Sequence, residues 1–356
     1  MHKYPELHSA IAELNKQSDL YRPTSFWEDA SKKLVLEFEE LGVEDFRRGP
    51  LALSYFVPTY GPPTLGLNKD QIDLLTSTFV DHYPNHSKGV LALDAYLTGQ
   101  LNALADYRVL LAANYAGDVL GLTEFSESSV GNPIEQHFFD TKSYSRSALN
   151  YLLGLSLIKQ HTDLDGINTV LEIGGGFGTL GEILGKAPKK GVKYIDIDIP
   201  PTHFAAEFYL KTIFGKSNVA SFADLEGSST IAISELPQFT VMCSWQLENL
   251  IGKVDLFVNF ISFQEMEPTV VENYLNHVNR LGSRWLLLRN IREGKQKKTL
   301  NSSGVTQPIF SEDYVKMLPN YRLVSQKVHP FGYQTVDGFH SEISLFSRID
   351  CNEQRS

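Results

Sequence analysis

Five glycines, Gly174, Gly175, Gly176, Gly178 and Gly181, follow the apolar run Val170–Leu171–Glu172–Ile173, and a helical pattern with Leu180, Ile183 and Leu184 resumes behind them. A strand, a tight turn and a helix N-terminus in that order let bare backbone close on a ligand's ribose and its phosphate or carboxylate groups. The cluster reads in two registers. Gly176, Gly178 and Gly181 fit GxGxxG, a dinucleotide fingerprint that wants an acid about 20 positions on, and Asp196 and Asp198 answer it. Glu172, Gly174, Gly176 and Gly178 also spell ExGxGxG, which adds a carboxylate at the strand end. There it can accept from loop amides and lie near a ligand's cationic end, whereas opposite a pyrophosphate it has no use. A buried glutamate is costly unless paired, so its presence favours the second register.

The elements that must hold these residues fall into two patterns that meet near residue 165. Residues 1–165 read as mostly helical. Trp27, Ala30, Leu34, Phe38 and Leu41 recur at helical spacing behind Ser25 and Glu28, a capping-box signature. Ile72, Leu75 and Phe79 form a second stripe, Leu97, Leu101, Leu104 and Leu111 a longer one, and a further helix covers roughly 143–159. Loops rich in Pro, Gly and aromatics separate them, at 54–66 and 126–139. Residues 166–350 alternate strand and helix, the mark of a parallel sheet with covering helices. The strands expected are 170–173, 192–198, 239–245, 254–261, 285–290, 322–328 and 342–348.

Composition narrows the function. With 356 residues, 42% hydrophobic and 21% charged, the chain reads as an ordinary globular protein of one or two domains. A net charge of −10 and a pI near 5.5 argue against a broad nucleic-acid surface, which needs a basic face. Two cysteines, Cys243 and Cys351, give no disulfide framework. No signal-peptide pattern or membrane-length apolar run is present, so a cytoplasmic location is expected, and the sequons at Asn85 and Asn301 read as chance.

The set YRPTSFWE (21–28), VGNP (130–133), VLEIGGGFG (170–178), IDIDIPPTHFAAEFYL (195–210), CSWQL (243–247) and NFISFQEM (259–266) resembles the bacterial putative sugar O-methyltransferase family. The likeness covers most of the chain, including the helical N-terminal half. It implies a Rossmann-like α/β fold, the seven-stranded sheet of the class I methyltransferases with a helical N-terminal cap that shapes the acceptor pocket. It implies S-adenosylmethionine as cofactor and, as acceptor, a sugar in glycan or glycosylated natural-product biosynthesis, either a small molecule or carrier-linked. An NAD(P)-dependent oxidoreductase acting on a sugar is the alternative enzyme, and a non-catalytic partner protein with a methyltransferase fold a third reading. Glu172, Asp198 and Glu265 together argue against the last. Some sugar methyltransferases use a divalent ion; nothing in this sequence points to one.

Under that resemblance the amides around Gly174, Gly176 and Gly178 approach the methionine part and the ribose. Asp196 and Asp198 share a face by the period of two, and Asp198, nearer the carboxyl end, is expected to take the ribose hydroxyls. Ser244, Trp245 and Gln246 close the third strand, where side chains border the adenine. Past the fourth strand, Glu265 falls where many class I methyltransferases place a histidine. It is expected to act as base or to orient the acceptor, with Gln264 and Asn259 as hydrogen-bonding partners, unless it caps the helix that follows. His137 and His340 are the competing bases. Arg292, Lys295, Lys297 and Lys298 form a basic run after the fifth strand, read as a solvated loop or as the seat of a carrier phosphate. Asp81, His82 and His86 suggest a metal set that Pro84 breaks.

Overall fold

The computed structural model describes residues 2–56, 69–115, 117–118, 120–162, 164–299, 304–335 and 338–349. Cys351, Asn301 and most of the 54–66 loop lie outside the described residues.

Seven helices come first: α1 (Pro5–Leu14), α2 (Glu28–Leu41), α3 (Pro50–Phe56), α4 (Lys69–His82), α5 (Ser87–Leu97), α6 (Gln100–Asn114) and α7 (Arg146–Ile158), with a short hairpin of β1 (His137–Phe139) and β2 (Lys142–Tyr144) between the last two. The leucine stripe expected to be one long helix is two, because Gly99 adopts a left-handed φ of 77° between α5 and α6. Helix α6 buries Ala103, Tyr107 and Leu110, and turns Leu101, Leu104 and Leu111 outward. The expected capping box fails too. Trp27 is the N-cap of α2, and Ser25 hydroxyl donates instead to Glu267 and to the Gly304 carbonyl. Helix α7 begins at a true cap, the Ala148 amide donating to Ser145 Oγ at 3.0 Å, and is buried almost all round.

The second half supplies β3 (Thr169–Ile173), α8 (Thr179–Lys186), β4 (Lys193–Asp198), α9 (Thr202–Phe214), β5 (Val219–Ala220), β6 (Ile231–Ala232), β7 (Phe239–Cys243), β8 (Leu250–Ile251), β9 (Leu256–Phe260), α10 (Pro268–Arg280), β10 (Trp285–Ile291), α11 (Ser311–Met317), β11 (Tyr321–Lys327), β12 (Tyr333–Gln334) and β13 (His340–Arg348). The main sheet has nine strands rather than the seven expected, in the order β11-β13-β10-β9-β3-β4-β7-β5, with β12 paired to β13. The two additions, β5 and β12, are two-residue strands too short to show in any periodicity. Strands β3, β4, β7, β9 and β10 pair in parallel, and β13 runs antiparallel between β10 and β11. Their runs are apolar because helices cover both faces.

The chain leaves β3 for β4 on one side and returns to β9 on the other, so the strand order switches direction at β3. Open α/β sheets bind ligands in the crevice such a switch creates, outside the carboxyl ends of the strands. The change of pattern near residue 165 does not divide the core. One buried cluster joins Leu34, Phe38 and Phe46 to Val170, Phe177 and Tyr209. Among the described residues, no helix is long and apolar enough to cross a membrane.

Candidate active site

A cavity of about 170 Å³ opens at that switch point, walled by the ends of β3, β4 and β9, by α7, and by the segment between α1 and α2. Its floor is the glycine loop. Gly174 donates to the Ile197 carbonyl at 2.8 Å and has φ 73°, and a Cβ there would fall 2.1 Å from Ser262 Oγ. Gly176, with φ 64°, meets nothing within 4 Å where its Cβ would stand. The two glycines therefore serve different ends: Gly174 lets two loops touch, and Gly176 leaves open space beside a left-handed backbone.

Asp198 lies on the cavity wall at the end of β4, and accepts from the Gly176 amide at 3.2 Å and the Ile199 amide at 2.7 Å. A carboxylate has about four acceptor sites, so two remain for a ligand. Asp196 shares its face but lies one layer deeper, fully buried and off the wall. In register it stands directly beside Glu172 of β3. Among the described residues no donor reaches either of its oxygens, or Glu172 Oε1, in full hydrogen-bond geometry, although the Gly175 amide faces Asp196 and lowers its pKa. Glu172 does not take loop amides as expected: its Oε2 accepts from Tyr194 hydroxyl at 2.6 Å. The loop amides point elsewhere, and Tyr194, one strand over, is long enough to reach. Burial, and for Asp198 and Asp196 also the neighbouring carboxylates, raises all three acids, Glu172 and Asp198 to about 7 and Asp196 well above its usual range.

Glu265 lines the same cavity, near enough to Asp198 for its charge to raise that acid. Its Oε2 accepts from Trp27 Nε1 at 3.0 Å and its Oε1 lies 2.7 Å from Lys295 Nζ. It caps no helix: Glu267 is the N-cap of α10, and Pro268 opens that helix. Trp27 leans on Tyr55 with ring centroids 5.2 Å apart, and Lys295 sits 4.1 Å over the Phe26 ring. Ile261, beside Ser262 in the cavity lining, is a β-branched residue at φ 73° and ψ −32°. Such a residue rarely adopts positive φ, and the strain is typical of functional sites. Its amide donates to the Arg289 carbonyl at 2.6 Å, which aims the following Ser262 at the loop.

The remaining expected residues fall outside the cavity. Asn259 Nδ2 donates to the Ile173 carbonyl and to Ser262 Oγ, and its Oδ1 accepts from the Phe263 amide. Gln264 Oε1 accepts from the Ile291 amide. Asn259 thus braces β9 to β3, and Gln264 ties the turn after β9 to β10; neither lines the cavity. Ser244 hydroxyl donates to the Tyr21 carbonyl, Trp245 packs edge-on against Phe222, and Gln246 caps its own turn by accepting from the Cys243 amide. None of the three lines the cavity; Ile199, Val270 and Tyr274 stand on that side. His137 is in β1, and burial and Arg146 lower its pKa to about 4; it lines a separate surface cavity with Asp73 and Asp94. His340, on β13, is bound to Glu293 at 2.5 Å. Periodicity had no means of finding Tyr151, stacked on Phe260 at 4.8 Å, or Arg22, Thr24 and Tyr55 on the wall. Of the basic run, Lys295 alone lines the cavity, and Arg292 is held by Glu342. Among the described residues the one group with metal-ligating spacing is His2, His8 and Glu39, none of which lines the cavity.

No protein-family model matches the sequence, and no curated protein matches it. Solved structures do resemble the fold. One is the magnesium protoporphyrin IX methyltransferase of Synechocystis with bound SAH, at 16% identity and TM-score 0.38 over 57% of this chain and 85% of that one. A SAM-dependent methyltransferase from Aquifex aeolicus follows at 16% identity and TM-score 0.34, over 55% and 89%. Another, from Leishmania major, has 10% identity and TM-score 0.40 over 68% and 83%. Likenesses this distant carry no functional weight by themselves, so a functional reading has to come from the strand order and the cavity.

Proposed function

We propose that this protein is an S-adenosylmethionine-dependent O-methyltransferase that acts on a sugar hydroxyl. The observation that carries the reading is the charge of the cofactor wall. Asp198 faces the cavity beside Gly176, with Glu172 and Asp196 in the layer beneath. Stacked carboxylates favour a cation and repel a pyrophosphate, which weighs against the nicotinamide alternative. The sheet supports the same reading, since β13 inserted antiparallel between β10 and β11 departs from the all-parallel order of dinucleotide folds.

The residues present fit the cofactor. Gly176 leaves room for close approach, and Asp198 keeps lone pairs for ribose hydroxyls. S-adenosylmethionine supplies a methyl group on a sulfonium sulfur; its C–S electron pair stays with sulfur as the methyl passes to a hydroxyl oxygen. Glu265, in the same cavity, is placed to take the proton that hydroxyl loses, and Trp27 orients it. The flat faces of Phe26, Trp27 and Tyr55 suit a sugar ring, so the N-terminal segment acts as the acceptor-side cap. His137 and His340 are set aside as bases because neither reaches this space. Calorimetry with S-adenosylmethionine, S-adenosylhomocysteine and NAD(P) tests the reading. Binding of the first two without the third is expected; nicotinamide binding alone overturns it.

A further inference from the structure

We infer that the acceptor carries an anionic group, a carboxylate or a phosphate, near its reacting hydroxyl, and that Lys295 binds this group and thereby frees Glu265. The inference rests on the methyltransferase reading and adds the acceptor's charge. In the structure both oxygens of Glu265 are engaged, one by the Lys295 ammonium and one by the Trp27 indole. Of those two donors the Lys295 ammonium is the one a ligand can draw away, and until it turns aside an acceptor hydroxyl has to share Oε1 with it. Lys295 can leave only for a better partner, and among the described residues that line the cavity the one other acid is Asp198, which the proposed reading gives to the cofactor.

An anion on the acceptor supplies that partner. The lysine stem is flexible, and its ammonium sits over Phe26, a contact it can keep while it turns from Glu265 to the ligand. Arg22 is the second cation among the described residues that line the cavity, anchored by Asp19 and the Asn15 carbonyl. Lys295 and Arg22 both line the cavity of a chain of net charge −10, and each offers positive charge to an anionic group that enters it. A neutral sugar would leave the Lys295–Glu265 pair closed.

The test is calorimetry on the full chain saturated with S-adenosylhomocysteine, at low salt, with glucose, glucuronate and glucose 1-phosphate as probes, on wild type and Lys295→Met. At least one anionic probe should bind about tenfold or more tightly than glucose, as expected for a charge-assisted contact. Glucuronate against glucose 1-phosphate distinguishes carboxylate from phosphate. Lys295→Met should abolish the difference, and Lys295→Arg should restore part of it. Glucose binding as tightly as the anions, an anion preference that survives Lys295→Met, or no anion binding overturns the inference. The saturation step separates the two levels: if S-adenosylhomocysteine does not bind, the methyltransferase reading fails; if it binds and the anions do not, this inference alone fails. With a turned-over anionic acceptor, Lys295→Met should raise KM far more than it lowers kcat, whereas a purely structural lysine would lower kcat for neutral and anionic acceptors alike.

Discussion

On the proposed reading Asp198 serves the cofactor and Glu265 the acceptor, and single substitutions should separate them. Asp198→Asn keeps the shape but removes the charge that this reading offers to the ribose. Cofactor affinity should fall by about 1.5–3 kcal/mol, the usual worth of a hydrogen bond to a charged group. The apo protein should melt no lower at pH 8, because a like charge beside Asp196 is removed. If Asp196→Asn weakens the cofactor more, the deeper carboxylate is the ligand group. Glu265→Gln should lower kcat by about 10²–10⁴-fold, the range for loss of a general base, with cofactor affinity unchanged. Its ion pair with Lys295 is largely buried, so leaving the ammonium without its counter-charge should also cost stability, on the order of 1–3 kcal/mol. A stable variant with wild-type turnover would remove Glu265 from the mechanism.

At the scale of elements, the glycine loop mixes two kinds of glycine that the motif writes alike. Gly181 lies on α8 where a Cβ would come within 2.7 Å of the Tyr194 ring on β4. Gly181→Ala should therefore destabilise the fold by about 1–3 kcal/mol through overpacking, with the intrinsic cofactor affinity kept. Gly176 has open space but a left-handed backbone. Gly176→Ala should cost the apo fold about 1–2 kcal/mol and weaken the cofactor far more, since the methyl enters the ligand's space. Urea titrations with and without S-adenosylhomocysteine give both numbers, and equal behaviour of the two variants would dissolve the distinction.

The whole molecule carries a pH signature. Glu172 and Asp198 are raised to about 7, and Asp196 well above its usual range, by burial and, for the aspartates, by neighbouring carboxylates: Glu172 and Glu265 on Asp198, Asp198 and Glu172 on Asp196. Acids whose folded pKa exceeds the unfolded one contribute stability that is full below the ordinary carboxylate range and lost as pH rises through about 7. The urea midpoint of the apo protein should thus fall between pH 5 and 8, and Asp196→Asn should flatten that slope. A cation bound above the cluster favours the ionised acids. S-adenosylmethionine should gain affinity over that range, and S-adenosylhomocysteine, which lacks the sulfonium charge, should gain less. Parallel slopes for Asp196→Asn and wild type would place the pH response elsewhere.

The sequence by itself determined the strand, loop and helix from Thr169 to Lys186, the seven long strands, and the acids at 172, 196 and 198, because local periodicity and backbone freedom are properties of neighbouring residues. It placed Asp198 at the strand end and Glu265 beyond β9, and both face one cavity. What it left undecided depends on residues far apart in the chain. Only the tertiary structure brings Trp27 to Glu265 across 238 positions, turns Lys295 into the cavity, and pairs Glu172 with Asp196 one strand over. It alone also withdraws Asn259, Gln264 and Gln246 from the ligand, since a buried amide side chain takes whichever backbone partner packing sets beside it. The strain at Ile261 is equally invisible in a sequence, where an isoleucine after a strand reads as more strand; the pull of the Arg289 carbonyl on its amide turns it into the corner of the site.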